Sequence, residues 1–317
     1  MSFQFDPESP FACFVTHSDN MKSAVENAQR FAMFDVPLLI QGETGTGKDL
    51  LAKACHYQSL RCDHKFIAVN CAGLPDEDAE SEMFGRRVGE VETIGFFEYA
   101  NGGTVLLDGV AELSLSLQAK LLRFLTDGSF RRVGEEKEHQ ANVRVICTSQ
   151  VPLNQLVELG KVRADLFHRL NVLTINVPPL RDRIEDIQPL TEGFLQEISE
   201  ALNINKPTFD QDFLVYLQKY DWRGNVRELY NTLYRACSLA KDNHLTIESL
   251  NITLPQSAVI SVDNFENQTL DEIIGQYEAK VLRAFYAKYP TTRKLAQRLG
   301  VSHTAIANKL KAYNIGK

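Results

Sequence analysis

Residues 42 to 49 read GETGTGKD, and they directly follow the apolar run Val36 to Ile40. A strand, a glycine-rich turn and a helix in that order form a phosphate-binding P-loop. Gly42, Gly45 and Gly47 let the backbone turn tightly enough to aim several N–H groups at one point, and the following helix adds the positive end of its dipole. Lys48 then reaches the phosphates. An ordinary strand-to-helix turn shares the glycines but not the full G-x-x-x-x-G-K spacing, so the chain is expected to bind a nucleotide. Asp49 stands where a P-loop usually supplies a Ser or Thr hydroxyl to magnesium, so the metal is expected to be held differently or weakly.

At 317 residues with 44% hydrophobic content, the chain is long enough for about two to three soluble domains. The start, MSFQFDPESP, has no basic region and no long apolar stretch, and no window approaches the roughly 18 apolar residues of a spanning helix. A cytoplasmic protein without a membrane role is expected. The six cysteines form no C-x-x-C pair and read as reduced, mostly buried thiols.

The net charge is −7, which argues against general coating of nucleic acid. Its distribution is uneven. Residues 286 to 317 hold no acid and seven basic residues, so removing this +7 tail leaves −14 on the rest. Within the tail, Thr292 to Leu299 reads as one short amphipathic helix, Gly300 and Val301 as a turn, and Ser302 as the cap of a second helix running to about Tyr313. This is a helix-turn-helix. Ile306, Leu310 and Tyr313 recur at helical spacing and should pack inward, which leaves His303, Thr304, Ala307, Asn308 and Lys311 outward. Asn can pair with adenine, Thr and Ala can meet a thymine methyl, and Lys can reach phosphate. Double-stranded DNA is the expected partner, with Arg293, Lys294, Ser302, His303, Thr304, Asn308, Lys309 and Lys311 as contact residues.

Between the two ends, apolar runs at Phe66 to Val69, Thr104 to Leu107, Val143 to Thr148 and Leu173 to Val177 alternate with helical stretches, as in a parallel α/β sheet. After Pro178-Pro179 the pattern turns helical, with Ile184 to Leu202, Gln211 to Tyr220 and Asn225 to Leu239 as the main segments. The expected organisation is an N-terminal tail over 1–10, an α/β domain over 11–177, a helical lid over 178–253, a linker over 254–268 and a DNA-binding domain over 269–317. A helix from Leu270 to Lys288 leads into the DNA-reading pair.

These residues resemble the bacterial enhancer-binding AAA+ regulators that normally act with the alternative sigma factor sigma-54. The likeness is carried by GETGTGKD at 42 to 49, FIAVNCAGLP at 66 to 75, EMFG at 82 to 85, FFEYANGGTVLLD at 96 to 108, VRADLFHRLNV at 162 to 172, PPLRDRIEDI at 178 to 187 and WRGNVRELYN at 222 to 231. KLAQRLGVSHTAIANKLKAYNI at 294 to 315 is similar to a Fis-type helix-turn-helix. The resemblance implies that Gly42, Glu43, Thr44, Gly45, Thr46, Gly47, Lys48 and Asp49 hold the phosphates of ATP, and that Asp108 is the Walker B carboxylate near Mg2+. It implies that Arg163 and Arg169 are arginine fingers reaching a neighbouring subunit's γ-phosphate, which requires a dimer or a ring, up to a hexamer. By the same likeness Arg227 is the lid arginine that senses nucleotide, and Asn70 restrains the family's catalytic glutamate.

Three positions depart from the family pattern. Residue 109, where the family has a water-polarising glutamate, is Gly, so at most weak ATPase activity is expected, because losing a general base costs about 10²–10⁴-fold. The segment RRVGEVETIG from 86 to 95 is shorter than the GAFTGA loop that contacts sigma-54. Gln150 stands where Asn or His is usual. A member without the contact loop resembles the tyrosine-responsive branch of the family, which works with the housekeeping RNA polymerase. That likeness implies a homodimer that self-associates further on binding ATP and an aromatic amino acid, tyrosine above all, and that regulates aromatic amino-acid genes. Members of that branch carry sensory domains ahead of the AAA+ part, whereas here the pattern starts near Phe11, so a short form or a fragment acting mainly as a repressor is expected. Two alternatives stand beside it: a sigma-54-dependent activator ATPase, and an AAA+ enzyme that acts on protein or nucleic acid and uses the tail as an anchor.

Overall fold

The computed structural model of the protein describes residues 5–74, 78–240, 243–252, 269–313 and 315. They fall into two compact units, Met1–Pro255 and Gln256–Lys317.

In the first unit α1 (Asp19–Ala32) is capped by the Ser18 side chain and buries Met21, Ala24, Val25, Ala28 and Ala32 along one stripe. β1 (Leu38–Gln41), the P-loop and α2 (Lys48–Tyr57) follow. Next come β2 (Phe66–Asn70), α3 (Ala79–Phe84), the hairpin of β3 (Arg86–Val88) and β4 (Val91–Thr93), α4 (Phe96–Tyr99) and β5 (Thr104–Asp108). The unit continues through α5 (Leu115–Asp127), a second hairpin of β6 (Ser129–Arg131) and β7 (Glu138–Gln140), β8 (Arg144–Ser149), α6 (Leu153–Glu158), α7 (Ala164–Leu170) and β9 (Leu173–Asn176).

Five strands form one parallel sheet in the order β2-β5-β8-β1-β9. Leu39, Val105, Leu107, Val145 and Cys147 pack into one core, while Leu38, Ile40, Leu106 and Ile146 pack into another beneath α1 and α2. A sheet buried on both faces needs the continuous apolar runs seen in the sequence. The carboxyl ends of β1, β5 and β8 then deliver Gly42, Asp108 and Gln150 to the edge where open α/β sheets bind ligands.

A helical lid follows, made of α8 (Ile187–Leu202), α9 (Gln211–Lys219), α10 (Asn225–Leu239) and α11 (Ile247–Leu250), with a short parallel pair β10 (Thr208–Phe209) and β11 (His244–Leu245). Its core centres on the fully buried Trp222, whose indole N–H donates to the Leu217 carbonyl at 2.7 Å. The expected helix from Ile184 starts later, after a single 3-10 turn Ile184–Asp186. Pro189 explains the delay, because a ring without an N–H fits the first turn of a helix and not its interior.

The lid docks on the P-loop through backbone groups. Asn225, fully buried at φ +54°, donates to the Thr44 carbonyl at 3.0 Å and accepts from the Leu180 N–H at 2.7 Å. The Arg227 N–H reaches the Gly45 carbonyl at 3.3 Å, and Arg183 donates to the Thr46 carbonyl at 3.2 Å. Gly45 is required here, since a Cβ would stand 2.2 Å from the Gly224 carbonyl oxygen. Asp186 closes the other side by accepting from the backbone N–H groups of His17 and Ser18 at 2.7 and 2.9 Å.

The second unit consists of α12 (Leu270–Lys288), α13 (Thr292–Leu299) and α14 (His303–Ala312) around Leu282, Leu295, Ala296, Ile306 and Leu310. These helices take the bounds expected from sequence to within a residue, with Ser302 capping α14 and the turn at Gly300. The expected linker over 254–268 lies outside the described residues. The hairpins β3–β4 and β6–β7 and the pair β10–β11 were not read from the sequence, because their strands are too short for a periodic signal. No described helix is long and apolar enough to cross a membrane, and all six cysteines are free thiols.

Replacing Asn225 with Leu keeps the branching at Cγ but strands the Thr44 carbonyl and the Leu180 N–H in a buried place. The expected cost in urea unfolding is roughly 2–5 kcal/mol, with the P-loop freed from the lid. A loss below about 0.5 kcal/mol, the scale of a surface substitution, would contradict this account of the latch.

Candidate nucleotide site and DNA-reading helix

A cavity of about 680 Å³ opens beside the P-loop, lined by Thr44, Gly45, Gly47, Lys48, Asp49, Asp108, Gln150 and Arg227, with Phe5, Lys53, Phe66, Ala68 and Leu106 as its outer wall. Gly47 forms the N-cap of α2 in a left-handed conformation without a side-chain cap, so the first N–H groups of the helix stay open to an anion. Lys48 is buried, and its ammonium donates to the Glu43 carbonyl at 2.9 Å. Burial pulls its pKa down, opposed by the nearby Asp108 and Asp49 carboxylates. Asp49 is pushed the other way, by burial first and then by Asp108. Both carboxylates line this cavity.

Glu43 does not line this cavity. Its carboxylate is held below the usual range mainly by Arg181, which grips it through two hydrogen bonds of 2.6 and 2.8 Å. Thr46 turns inward and donates to the Glu43 carbonyl at 2.8 Å, and Gly42 sits at the root of the loop, where its N–H reaches the Ser149 carbonyl at 3.1 Å. On the other flank of the P-loop a small hollow of about 40 Å³ is lined by Phe14, Val15, Thr46, Gly47, Leu190 and Val226, among others. It is mostly apolar and lies between the loop and the lid. None of its residues outside the P-loop was singled out from sequence.

Gly109 adopts φ +76° and ψ +51° and caps a 3-10 turn, Val110–Glu112. Its N–H donates to the Thr148 hydroxyl at 2.9 Å, and a Cβ built at this position points toward Glu112 Cγ at 3.5 Å. The position thus lacks a carboxylate and has a backbone that side-chain-bearing residues rarely adopt. Asn70 uses its side chain to cap Ala72, at 3.1 Å.

The arginines expected to act as fingers are not brought to this cavity within one chain. Arg163 pairs with Asp165 at 2.8 Å, and Arg169 donates to the Leu125 carbonyl at 2.7 Å, lining a separate hollow with Asp127 and Arg144. The segment 86–95, read from sequence as a shortened contact loop, contains the hairpin β3–β4. Arg132, itself buried, ties it down through Glu92 at 2.7 Å and Glu98 at 2.8 Å, and Arg87 reaches Glu135 at 2.9 Å.

In the second unit Arg293, Lys294, Ser302, His303, Thr304, Asn308 and Lys311 are exposed, while Ile306 and Leu310 are buried as expected. Ser302 accepts from the Ala305 N–H at 3.2 Å, and His303 shares a 2.8 Å hydrogen bond with Thr292. Lys309 is half-buried, and its ammonium is bound to Glu278 of α12, which also accepts from the Tyr313 hydroxyl at 2.7 Å, so contact with DNA would compete with this pair. The tail lacks acids, but the helix before it supplies one at the i+31 distance that sequence inspection does not pair.

Comparisons with known proteins match this architecture segment by segment. The sigma-54 interaction domain family matches residues 14–176, the AAA+ ATPase lid domain 181–265 and a helix-turn-helix domain 267–316. The HTH-type transcriptional regulatory protein TyrR of Haemophilus influenzae is 84% identical over 314 residues, covering 99% of each chain. TyrR of Enterobacter agglomerans is 50% identical over 98% of this chain, which spans 60% of that longer protein. The Nif-specific regulatory protein of Azotobacter vinelandii is 36% identical over 95% of this chain. The crystal structure of NtrX from Brucella abortus in complex with ATP superposes with a TM-score of 0.70 at 32% identity, covering 95% of this chain and 69% of that one. With its P-loop, lid and helix-turn-helix in this order, the chain belongs to the TyrR-type HTH transcriptional regulatory proteins of the sigma-54 interaction domain family.

Proposed function

We propose that this regulator is a cytoplasmic, sequence-specific DNA-binding protein, mainly a repressor at housekeeping-polymerase promoters, in which ATP acts as an allosteric ligand more than as a fuel. The observation that carries this reading is Gly109. Its cavity keeps the groups that bind, Lys48, Asp108 and the open amides of α2, and lacks the carboxylate that would activate water. Lys48 needs only to exchange the Glu43 carbonyl for a phosphate oxygen. Asp49 and Asp108 offer hard carboxylate oxygens, a donor set that fits Mg2+, which would neutralise phosphate charge there. Arg227, on the lid's helix α10, lines the same cavity, so phosphate contact there would tighten the lid. Arg163 and Arg169 are exposed, and a neighbouring subunit's phosphate would have to displace Asp165 from the first and the Leu125 carbonyl from the second, an exchange that would link nucleotide to self-association.

A sigma-54-dependent activator ATPase is the second reading, favoured by the family match over residues 14–176. It requires fast turnover and a mobile contact loop, whereas the hairpin here is short and pinned by Arg132. Response to tyrosine or another aromatic amino acid, and control of aromatic amino-acid genes, belong to the same proposal. DNA binding and sedimentation measured with an ATP analogue and each aromatic amino acid, alone and together, test it, because linked sites must show reciprocal coupling. No coupling in either observable would leave only a nucleotide-independent DNA binder.

Saturating ATP at about 100 times its dissociation constant should stabilise the first unit by roughly 2.7 kcal/mol, and Lys48→Ala should abolish that gain in thermal melts. Gly109→Glu alone is not expected to restore hydrolysis, since the new side chain must adopt a positive φ and starts out toward Glu112. On the DNA side, Asn308→Ala should cost about 1–3 kcal/mol per half-site and relax selectivity, whereas Lys311→Ala should mainly reduce the salt dependence. Unchanged operator selectivity in the Asn308 variant would remove it as a base reader.

A further inference from the structure

Asp108 receives one side-chain hydrogen bond among the described residues, and it comes from the Thr148 hydroxyl, whose Oγ1 donates to Asp108 Oδ1. The same oxygen accepts from the Gly109 N–H at 2.9 Å. Thr148 is fully buried on β8, one step beyond the Leu107–Cys147 pairing of β5 and β8, so the register sets its hydroxyl beside Asp108. A hydroxyl is both donor and acceptor and can serve the two partners at once. The same cavity holds Asp49 in place of the P-loop hydroxyl. A carboxylate there accepts and does not donate, and it lies close enough to Asp108 to repel it.

We propose that Thr148 is the positioning residue that orients Asp108 toward the divalent cation, so that β8 holds in place the carboxylate on which the cation depends once the P-loop hydroxyl is replaced by Asp49. With Oδ1 engaged by Thr148, Oδ2 is the oxygen left for the cation or for its bound water. The bond to the Gly109 N–H fixes the turn after β5 at the same time, so one hydroxyl sets both the metal-binding carboxylate and the backbone that replaces the family's glutamate. The inference rests on the nucleotide-binding reading above and concerns only how Mg2+ is coupled to it.

The test is the Mg2+ dependence of binding a non-hydrolysable ATP analogue, measured on the full chain by calorimetry in excess chelator and across a Mg2+ titration. Thr148→Val, which keeps the shape and loses the hydroxyl, should weaken the apparent Mg2+ affinity by about tenfold or more and leave binding in chelator unchanged. Thr148→Ser should keep the unaltered protein's Mg2+ dependence. Adding Thr148→Val to Asp108→Asn should cause no further change in Mg2+ dependence, because the hydroxyl acts through that carboxylate. Unaltered Mg2+ dependence in Thr148→Val overturns the proposal. So does an equal loss with and without Mg2+, which would make the hydroxyl a packing element. If Thr148→Val does not fold, Thr148→Ser against Thr148→Ala decides by the same two arms. Absence of nucleotide binding by the unaltered protein would instead refute the reading on which this inference rests.

Discussion

The latch between the P-loop and the lid governs the rest of the first unit. A P-loop spends its N–H groups on a ligand and leaves its carbonyls to be satisfied by protein. Here Asn225, Arg183 and the Arg227 N–H supply donors to the carbonyls of Thr44, Thr46 and Gly45, and all three come from the lid or its approach. The Glu43–Arg181 pair adds a further tie, but it is exposed at both ends and stabilises less than the buried amide contacts. Because one side of the loop faces the cavity and the other side carries the lid, any ligand that moves the loop must move the lid. That is the physical route by which nucleotide could reach a distant surface.

The cavity itself is an electrostatic compromise. Lys48 and Arg227 face Asp49 and Asp108, and burial disfavours the charged form of both Lys48 and Asp49. A triphosphate with a divalent cation brings both signs of charge and would pair each of these groups with an opposite partner. The site therefore favours binding. Turnover needs a further group aimed at water, and the turn at Gly109 presents a backbone N–H to Thr148 at that place instead.

Much of this was legible in the sequence because it rests on short-range chemistry. The P-loop spacing, the buried strands of the parallel sheet and the amphipathic pair around Gly300 are all local patterns, and the structure places them where the patterns say. Gly109 was visible as a missing glutamate, but its left-handed backbone and its hydrogen bond to Thr148 on the neighbouring strand were not. Asn225 lay inside a recognised motif, yet its contact with Thr44 spans 181 positions. The Lys309–Glu278 pair was unread for the same reason, as Glu278 lies one helix upstream of the acid-free tail. The unread contacts are long-range pairings of single polar groups, which leave no periodic trace.

The central claim is that ATP is held here without being consumed at an enzyme's pace. The direct measurement is phosphate release by the unaltered protein under saturating ATP and Mg2+, at a protein concentration and with DNA that permit self-association, alongside the bound nucleotide fraction in the same sample. The account predicts near-complete occupancy with release at least about 10²-fold below the roughly 1 s⁻¹ at which working enzymes begin. Occupied sites that release phosphate at about 1 s⁻¹ or faster would contradict it.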